Sequence, residues 1–205
     1  MCDWLSEIIV ADGPDPEHLK AARESLFQSS VAIEPNPNPP AGFEAAGMGR
    51  LITLAQPQPL RTLKERFCRN LGRNALSIAI PQTKSIDEIK EIRTIAVCPG
   101  SGASLLMRNG KPLADLLVTG EMSHHDALAA IENGSCVMTV FHSNSERGYV
   151  QGELRRKLRD ELSVAWPKYK SSMAQSGEWS EDVLGGDDFE VEYSKVDADP
   201  YQIIL

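Results

Sequence analysis

His142 and Glu146 are the two residues whose types and spacing most directly suggest chemistry. Four positions apart, an imidazole and a carboxylate fall on one face of a helix about one turn apart, close enough to reach one divalent ion. Zn, Mn, Fe and Ni all accept that pair of donors, but two protein ligands seldom fix a transition metal, and catalytic zinc usually takes three. Further donors are expected from elsewhere. The competing reading is structural: His142 hydrogen-bonds within a strand-to-helix turn, and Glu146 offsets the positive end of the helix. Spacing alone leaves both open.

Neighbouring segments add candidates. Glu121, His124 and His125 lie in Thr119-Gly-Glu-Met-Ser-His-His125, at another predicted strand-to-helix turn. Adjacent histidines diverge on a helix, so at most one can face a given ion and the other is solvated or supports a ligand. A capped helix start with polar residues in its first turn is the plainer alternative. Cys98-Pro-Gly-Ser-Gly102 reads as a strand end, a glycine turn and a helix start, so Gly100, Ser101 and Gly102 could present amides to an anion. The segment lacks both the Gly-Lys-Ser/Thr of a P-loop and the Gly-x-Gly-x-x-Gly of a dinucleotide fold. Cys98 is either a nucleophile or soft ligand near that helix start, or a packed residue finishing the run Ile95-Ala-Val-Cys98. Arg147 could bind a phosphate, pair with Glu121, or sit on a helix surface.

These residues need strand ends and helix starts to bring them together, and the apolar pattern supplies them. A short amphipathic helix is predicted over Cys2 to Val10, then a proline-rich surface loop from Val31 to Ala41. Strands follow at Met48 to Leu54, Leu76 to Ile80, Thr94 to Cys98, Leu113 to Val118 and Ser135 to Phe141. Helices alternate with them at Leu60 to Leu71, Ser101 to Met107, from a Ser123 cap to Glu132, and from Ser143 to roughly Leu162. This interleaving predicts an α/β domain with a mixed or largely parallel sheet and flanking helices. Residues 1–165 are read as one domain, 166–187 as a polar loop or disordered insert, and 188–205 as a strand and tail that complete the same domain. The strand is the alternating run Phe189 to Tyr193. In such sheets ligands collect beyond the carboxyl ends of the strands, where His142 is expected.

Composition narrows the function classes. A chain of 205 residues with 41% apolar content suits a single globular domain. A net charge of −8 and a pI near 5.1 offer no basic face for phosphate backbones, so direct nucleic-acid binding is not expected. No apolar run approaches the roughly 20 residues a membrane helix needs, and Met1 opens onto an amphipathic acidic segment in place of a signal sequence. Cys2, Cys68, Cys98 and Cys136 are widely spaced and read as reduced thiols of a cytosolic-type compartment, with nucleus and mitochondrion as alternatives.

Taken together, Gly49-Arg50, Ile95 to Leu106, Ala114 to Leu128 and His142-Ser-Asn-Ser-Glu-Arg-Gly148 resemble the NGG-interacting-factor-three-like family, also called GTP cyclohydrolase I type 2 homologues. The ending Ser194 to Pro200 is similar to the tail of fungal members. The resemblance implies a Nif-three-like α/β fold, dimers or ring-like hexamers, and a site for two divalent metal ions (Zn, Mn, Fe or Ni) with ligands from both halves of the chain. His142 and Glu146 match its His-x-x-x-Glu motif, and His124 and His125 match a Ser-His-His signature beside the site. The matching N-terminal ligands would precede Met1, so the chain is expected to lack the N-terminal half of the fold. On that reading it is a metal-dependent, GTP-cyclohydrolase-like hydrolase with an incomplete site. The alternative is a non-catalytic interaction protein with a partner in transcription. The first helix is then expected to have no preceding strands to pack on, and the sheet to expose an apolar edge and faces that favour homo-oligomers.

Overall fold

A computed structural model describes residues 1–74, 76–177, 180, 185–186, 189–196 and 200. Two compact units divide the chain, one over residues 1–147 and the other over 148–197. The first begins with helices α1 (Cys2–Val10) and α2 (Pro16–Leu26), strands β1 (Phe27–Val31), β2 (Glu34–Pro35), β3 (Gly47–Met48) and β4 (Arg50–Gln58), and helix α3 (Leu60–Leu71). It continues with β5 (Ser77–Ala79), β6 (Ile92–Ser101), the short α4 (Ala103–Leu106), β7 (Met107–Arg108), β8 (Lys111–Pro112), β9 (Leu116–Glu121), α5 (His124–Glu132) and β10 (Cys136–Thr139).

Six strands form one sheet in the order β1-β4-β6-β9-β10-β5. The three in the middle, β6, β9 and β10, run parallel, while β1, β4 and β5 join antiparallel. The sheet is thus mixed, with its parallel core where the sequence reads as near-continuous apolar runs buried on both faces. Ile95, Ala96, Val97, Leu116, Leu117 and Val118 are all at most 1% exposed. Ala96, Leu117 and Val137 share one packed cluster with Leu106 of α4 and Ala130 of α5.

The sheet is also covered by α1, which has no preceding strand among the described residues and packs on strands that follow it in the chain. Trp4, Leu5, Ile8 and Ile9 recur at helical spacing, and all are buried where α1 packs on α3, β4 and β6. Burying each of those side chains is worth about 1.5–3 kcal/mol, which is enough to hold a nine-residue helix too short to persist alone. Two polar anchors set its pose. Arg50, 8% exposed, donates to the Asp3 carboxylate at 2.6 and 2.9 Å and to the carbonyl of Gly49 at 2.8 Å, tying the first turn of α1 to the start of β4. At the other end, the buried Asn70 amide donates to the carbonyls of Ile8 and Ala11 at 2.7 and 2.9 Å, acceptors that a helix end leaves unpaired.

Helix α2 and the edge strand β1 lie in a stretch where no element is predicted. Asp15 accepts from the His18 amide as N-cap, Pro16 opens the first turn, and Leu19 and Ala22 form a narrow buried stripe. In β1, Gln28-Ser-Ser30 carries no apolar alternation because the strand is an edge with a mostly exposed face.

The second unit departs from the sequence reading at two places. A π-helical turn (Val150–Leu154) leads into α7 (Arg155–Ser176), so residues 166–176 are helical where a polar loop was expected. Helix-forming Lys168, Lys170, Met173, Ala174 and Gln175 carry the helix past Pro167 until Gly177 ends it with φ 69°. Phe189 to Tyr193 pairs with no strand among the described residues. Its alternation is used against side chains: Arg155 donates to the Val191 carbonyl at 2.8 Å and lies over the Tyr193 ring at 5.5 Å.

Replacing Asn70 with Ala should lower unfolding free energy by about 1–3 kcal/mol in urea titrations, since two carbonyls lose their donor. An unchanged midpoint would show that α1 is held by apolar burial alone. At α2, the Asp15 carboxylate that pairs with the His18 ring raises the His18 pKa above its ordinary 6.5, first by hydrogen bonding and then by charge. The pair therefore stabilises fully below about 6.5 and loses its effect as pH rises through the raised value. An NMR titration should place the His18 midpoint above 6.5, and Asp15→Asn should bring it down; an unshifted midpoint in either protein contradicts the pairing.

Candidate functional site

The parallel strands deliver three chain segments to one end of the sheet. β6 ends in Pro99-Gly100-Ser101, β9 in Thr119-Gly120-Glu121, and β10 runs out through Val140, whose amide donates to the Gly120 carbonyl at 3.2 Å. The next residue, Phe141, has φ 68°, a left-handed conformation that costs a non-glycine residue about 1–3 kcal/mol. That turn redirects the chain into a 3-10 turn (Ser143–Ser145), so that His142 comes back over the end of β6.

Two glycines make the approach possible. A Cβ on Gly120 would lie 2.7 Å from the Gly100 carbonyl and 2.9 Å from His142 Cα. A Cβ on Gly100, whose φ is +70°, would lie 2.9 Å from His142 Nε2 and 3.2 Å from Glu146 Oε1. Hydroxyls stitch the segments together. Ser145, fully buried, accepts from the Gly100 amide at 2.8 Å and donates to the His142 carbonyl at 2.7 Å. Thr119, equally buried, accepts from the Gly102 amide at 3.0 Å and donates to the Gly100 carbonyl at 2.9 Å.

On this frame His142 stands between two carboxylates. Its Nδ1 is 2.9 Å from Glu121 Oε1, and its Nε2 is 3.6 Å from Glu146 Oε1. All three side chains are roughly one-third to one-half exposed, at 50%, 46% and 35% for His142, Glu121 and Glu146. The carboxylates meet opposite nitrogens of the ring, so the three side chains do not converge on one point. Among the described residues, no group of three or more His, Cys, Asp or Glu is arranged to hold a metal ion. Beside this turn, Arg73 donates to Asn144 at 2.5 Å, linking it to the chain just past α3.

The other predicted residues fall around this centre. His124 and His125 are exposed at the start of α5 and meet each other edge to face, with centroids 5.7 Å apart. Ser123 caps that helix by accepting from the Asp126 amide at 3.1 Å. Glu121 meets the His142 ring, and Arg147 opens α6 (Arg147–Tyr149) half-buried. The turn of Gly100, Ser101 and Gly102 is corrected as an anion site: the Gly100 and Gly102 amides already donate to Ser145 and Thr119, and Ser101 pairs within the sheet against Glu121. The reading of Cys98 as a reactive thiolate is corrected as well. Burial, reinforced by Cys2 and Glu146, pushes its thiol up to about 11, so it stays protonated near neutral pH.

Thr119, Ser145 and Phe141 carry much of this architecture, and sequence reasoning missed all three. Ser145 and Thr119 lay inside the motifs that flagged their neighbours, and a hydroxyl beside a glycine turn was the available signal. Nothing in the type of Phe141 announces a positive φ.

The sequence profile described as Duf34/NIF3 (NGG1p interacting factor 3) matches residues 3–173. A Bos taurus relative, NIF3-like protein 1, is 40% identical over 118 residues, covering 58% of this chain and 29% of its own length. The Saccharomyces cerevisiae NGG1-interacting factor 3 is 34% identical over 115 residues, covering 56% of this chain and 40% of its own. A crystal structure of a Bacillus cereus protein related to NIF3 superposes with a TM-score of 0.51 at 18% identity, over 78% of this chain and 36% of that one. The chain thus spans well under half the length of these relatives.

Ser145→Ala should destabilise the protein by about 1–3 kcal/mol and broaden the amide signals of Gly100 and His142, because the buried Gly100 N–H loses its acceptor. Gly100→Ala should do more damage, adding strain at φ +70° to a clash with the His142 ring. Melts superimposable on the parent protein for both variants would rule out this stitching.

Proposed function

On the premise that this chain belongs to the Duf34/NIF3 family, we propose that His142 and Glu146 hold a divalent transition metal at the carboxyl end of the parallel strands. The observation that carries the reading is the 3.6 Å between His142 Nε2 and Glu146 Oε1. It is too long for a hydrogen bond, and it is near the ~3.4 Å that separates two donors sharing one tetrahedral ion through bonds of about 2.1 Å. The donor types also fit, a neutral imidazole and a carboxylate being acceptable to Zn, Mn, Fe and Ni. Gly100 itself puts no side chain into the space beside both atoms.

Such an ion would lower the pKa of a bound water and offset negative charge on an attacked centre, chemistry that suits hydrolysis of a nucleotide ring or a phosphate ester. The described residues supply two donors and a fixed turn, so the reading is of a partial site. On this reading the remaining donors, including those for a second ion, lie outside the described residues, in the same protein or in another subunit of a dimer or hexamer. A second reading is a non-catalytic interaction protein with a partner in transcription; the name of the yeast relative, NGG1-interacting factor 3, supports a protein partner.

Titration calorimetry on the extensively dialysed chain should show weak zinc binding, reduced at least about tenfold, or about 1.4 kcal/mol, by His142→Ala or Glu146→Ala. Stoichiometric binding that survives both substitutions would overturn the assignment. Tight binding abolished by His142→Ala would overturn only the idea of a partial site. Partner capture from lysate that withstands Glu146→Ala, by a protein without metal affinity, would favour the interaction reading.

A further inference from the structure

We propose that Glu121 is a positioning residue that sets which nitrogen of His142 is offered to a cation. The inference rests on the metal reading of His142 and Glu146 and adds a tautomer to it. Glu121 Oε1 lies 2.9 Å from His142 Nδ1, and an ionised carboxylate can only accept a hydrogen bond. Nδ1 therefore carries the proton, and in the neutral ring the lone pair is on Nε2. Nε2 is the nitrogen that faces Glu146 across 3.6 Å and borders the space left by Gly100. Without the Glu121 carboxylate, Nδ1 loses the acceptor that favours its proton there over Nε2.

The backbone holds Glu121 in place for this role. It ends β9 in register with Ser101, directly after Gly120, whose carbonyl accepts from Val140 and whose missing Cβ lets β9 touch the His142 turn. Glu121 and Glu146 occupy opposite edges of the imidazole, so Glu121 orients the ring and does not share an ion with Glu146. A carboxylate that accepts from the far nitrogen of a metal-binding histidine also raises the basicity of the near one.

The test is nitrogen-detected NMR on the full, metal-free chain at a pH where His142 is neutral, combined with zinc competition. The parent protein is expected to show the Nδ1–H tautomer, Glu121→Ala to populate Nε2–H, and Glu121→Gln to restore Nδ1–H because its amide oxygen still accepts. Zinc affinity should fall about 10–100-fold in Glu121→Ala and largely return in Glu121→Gln. A parent protein in the Nε2–H form, or a Glu121→Ala variant that keeps Nδ1–H, overturns the proposal. Failure of the parent chain to bind zinc overturns the metal reading instead, and the tautomers then decide the role of Glu121 by themselves.

Discussion

Gly100 and Gly120 have no side chains, and that single steric fact lets the ends of β6 and β9 meet the His142 turn at distances a Cβ would forbid. The close approach puts polar backbone groups out of reach of water, where each unmet one costs about 1–3 kcal/mol. Thr119 and Ser145 meet them, each hydroxyl acting as donor and acceptor at once. Phe141 is held in its left-handed conformation by the same packing, since strain of that size persists only where its surroundings over-determine it.

The electrostatics follow from this frame. Glu121 at the end of β9 and Glu146 just past the 3-10 turn flank one half-exposed imidazole, in a chain already carrying a net charge of −8. His142 is compensated at Nδ1 by a 2.9 Å contact and left with a wider 3.6 Å separation at Nε2. The asymmetry gives the two carboxylates different parts. Glu121 completes a hydrogen bond that needs nothing further, and Glu146 stands where a cation would satisfy both it and the ring.

The parallel core was legible because buried strands leave unbroken apolar runs, as in Ile95-Ala-Val-Cys98 and Leu116-Leu-Val118. Helices α1, α3 and α5 were legible from their apolar spacing or their cap and stop residues. The edge strand β1 was hidden because an edge needs no apolar face, and α2 because its buried stripe is only Leu19 and Ala22. Beyond residue 165 composition misled: polar, lysine-bearing sequence reads as loop, yet it suits an exposed helix with no buried residue. At the site, His142 and Glu146 were visible as a spacing. The acceptor of Nδ1 was not, because Glu121 reaches it across two strands, 21 residues away in sequence.

Whether His142 and Glu146 share one ion is read directly by X-ray absorption at the zinc edge of the metal-loaded chain. A shared ion predicts nitrogen and oxygen donors at about 2.0–2.1 Å, with imidazole scattering that disappears in His142→Ala. A sulfur shell near 2.3 Å, or imidazole scattering that persists in that variant, would contradict it.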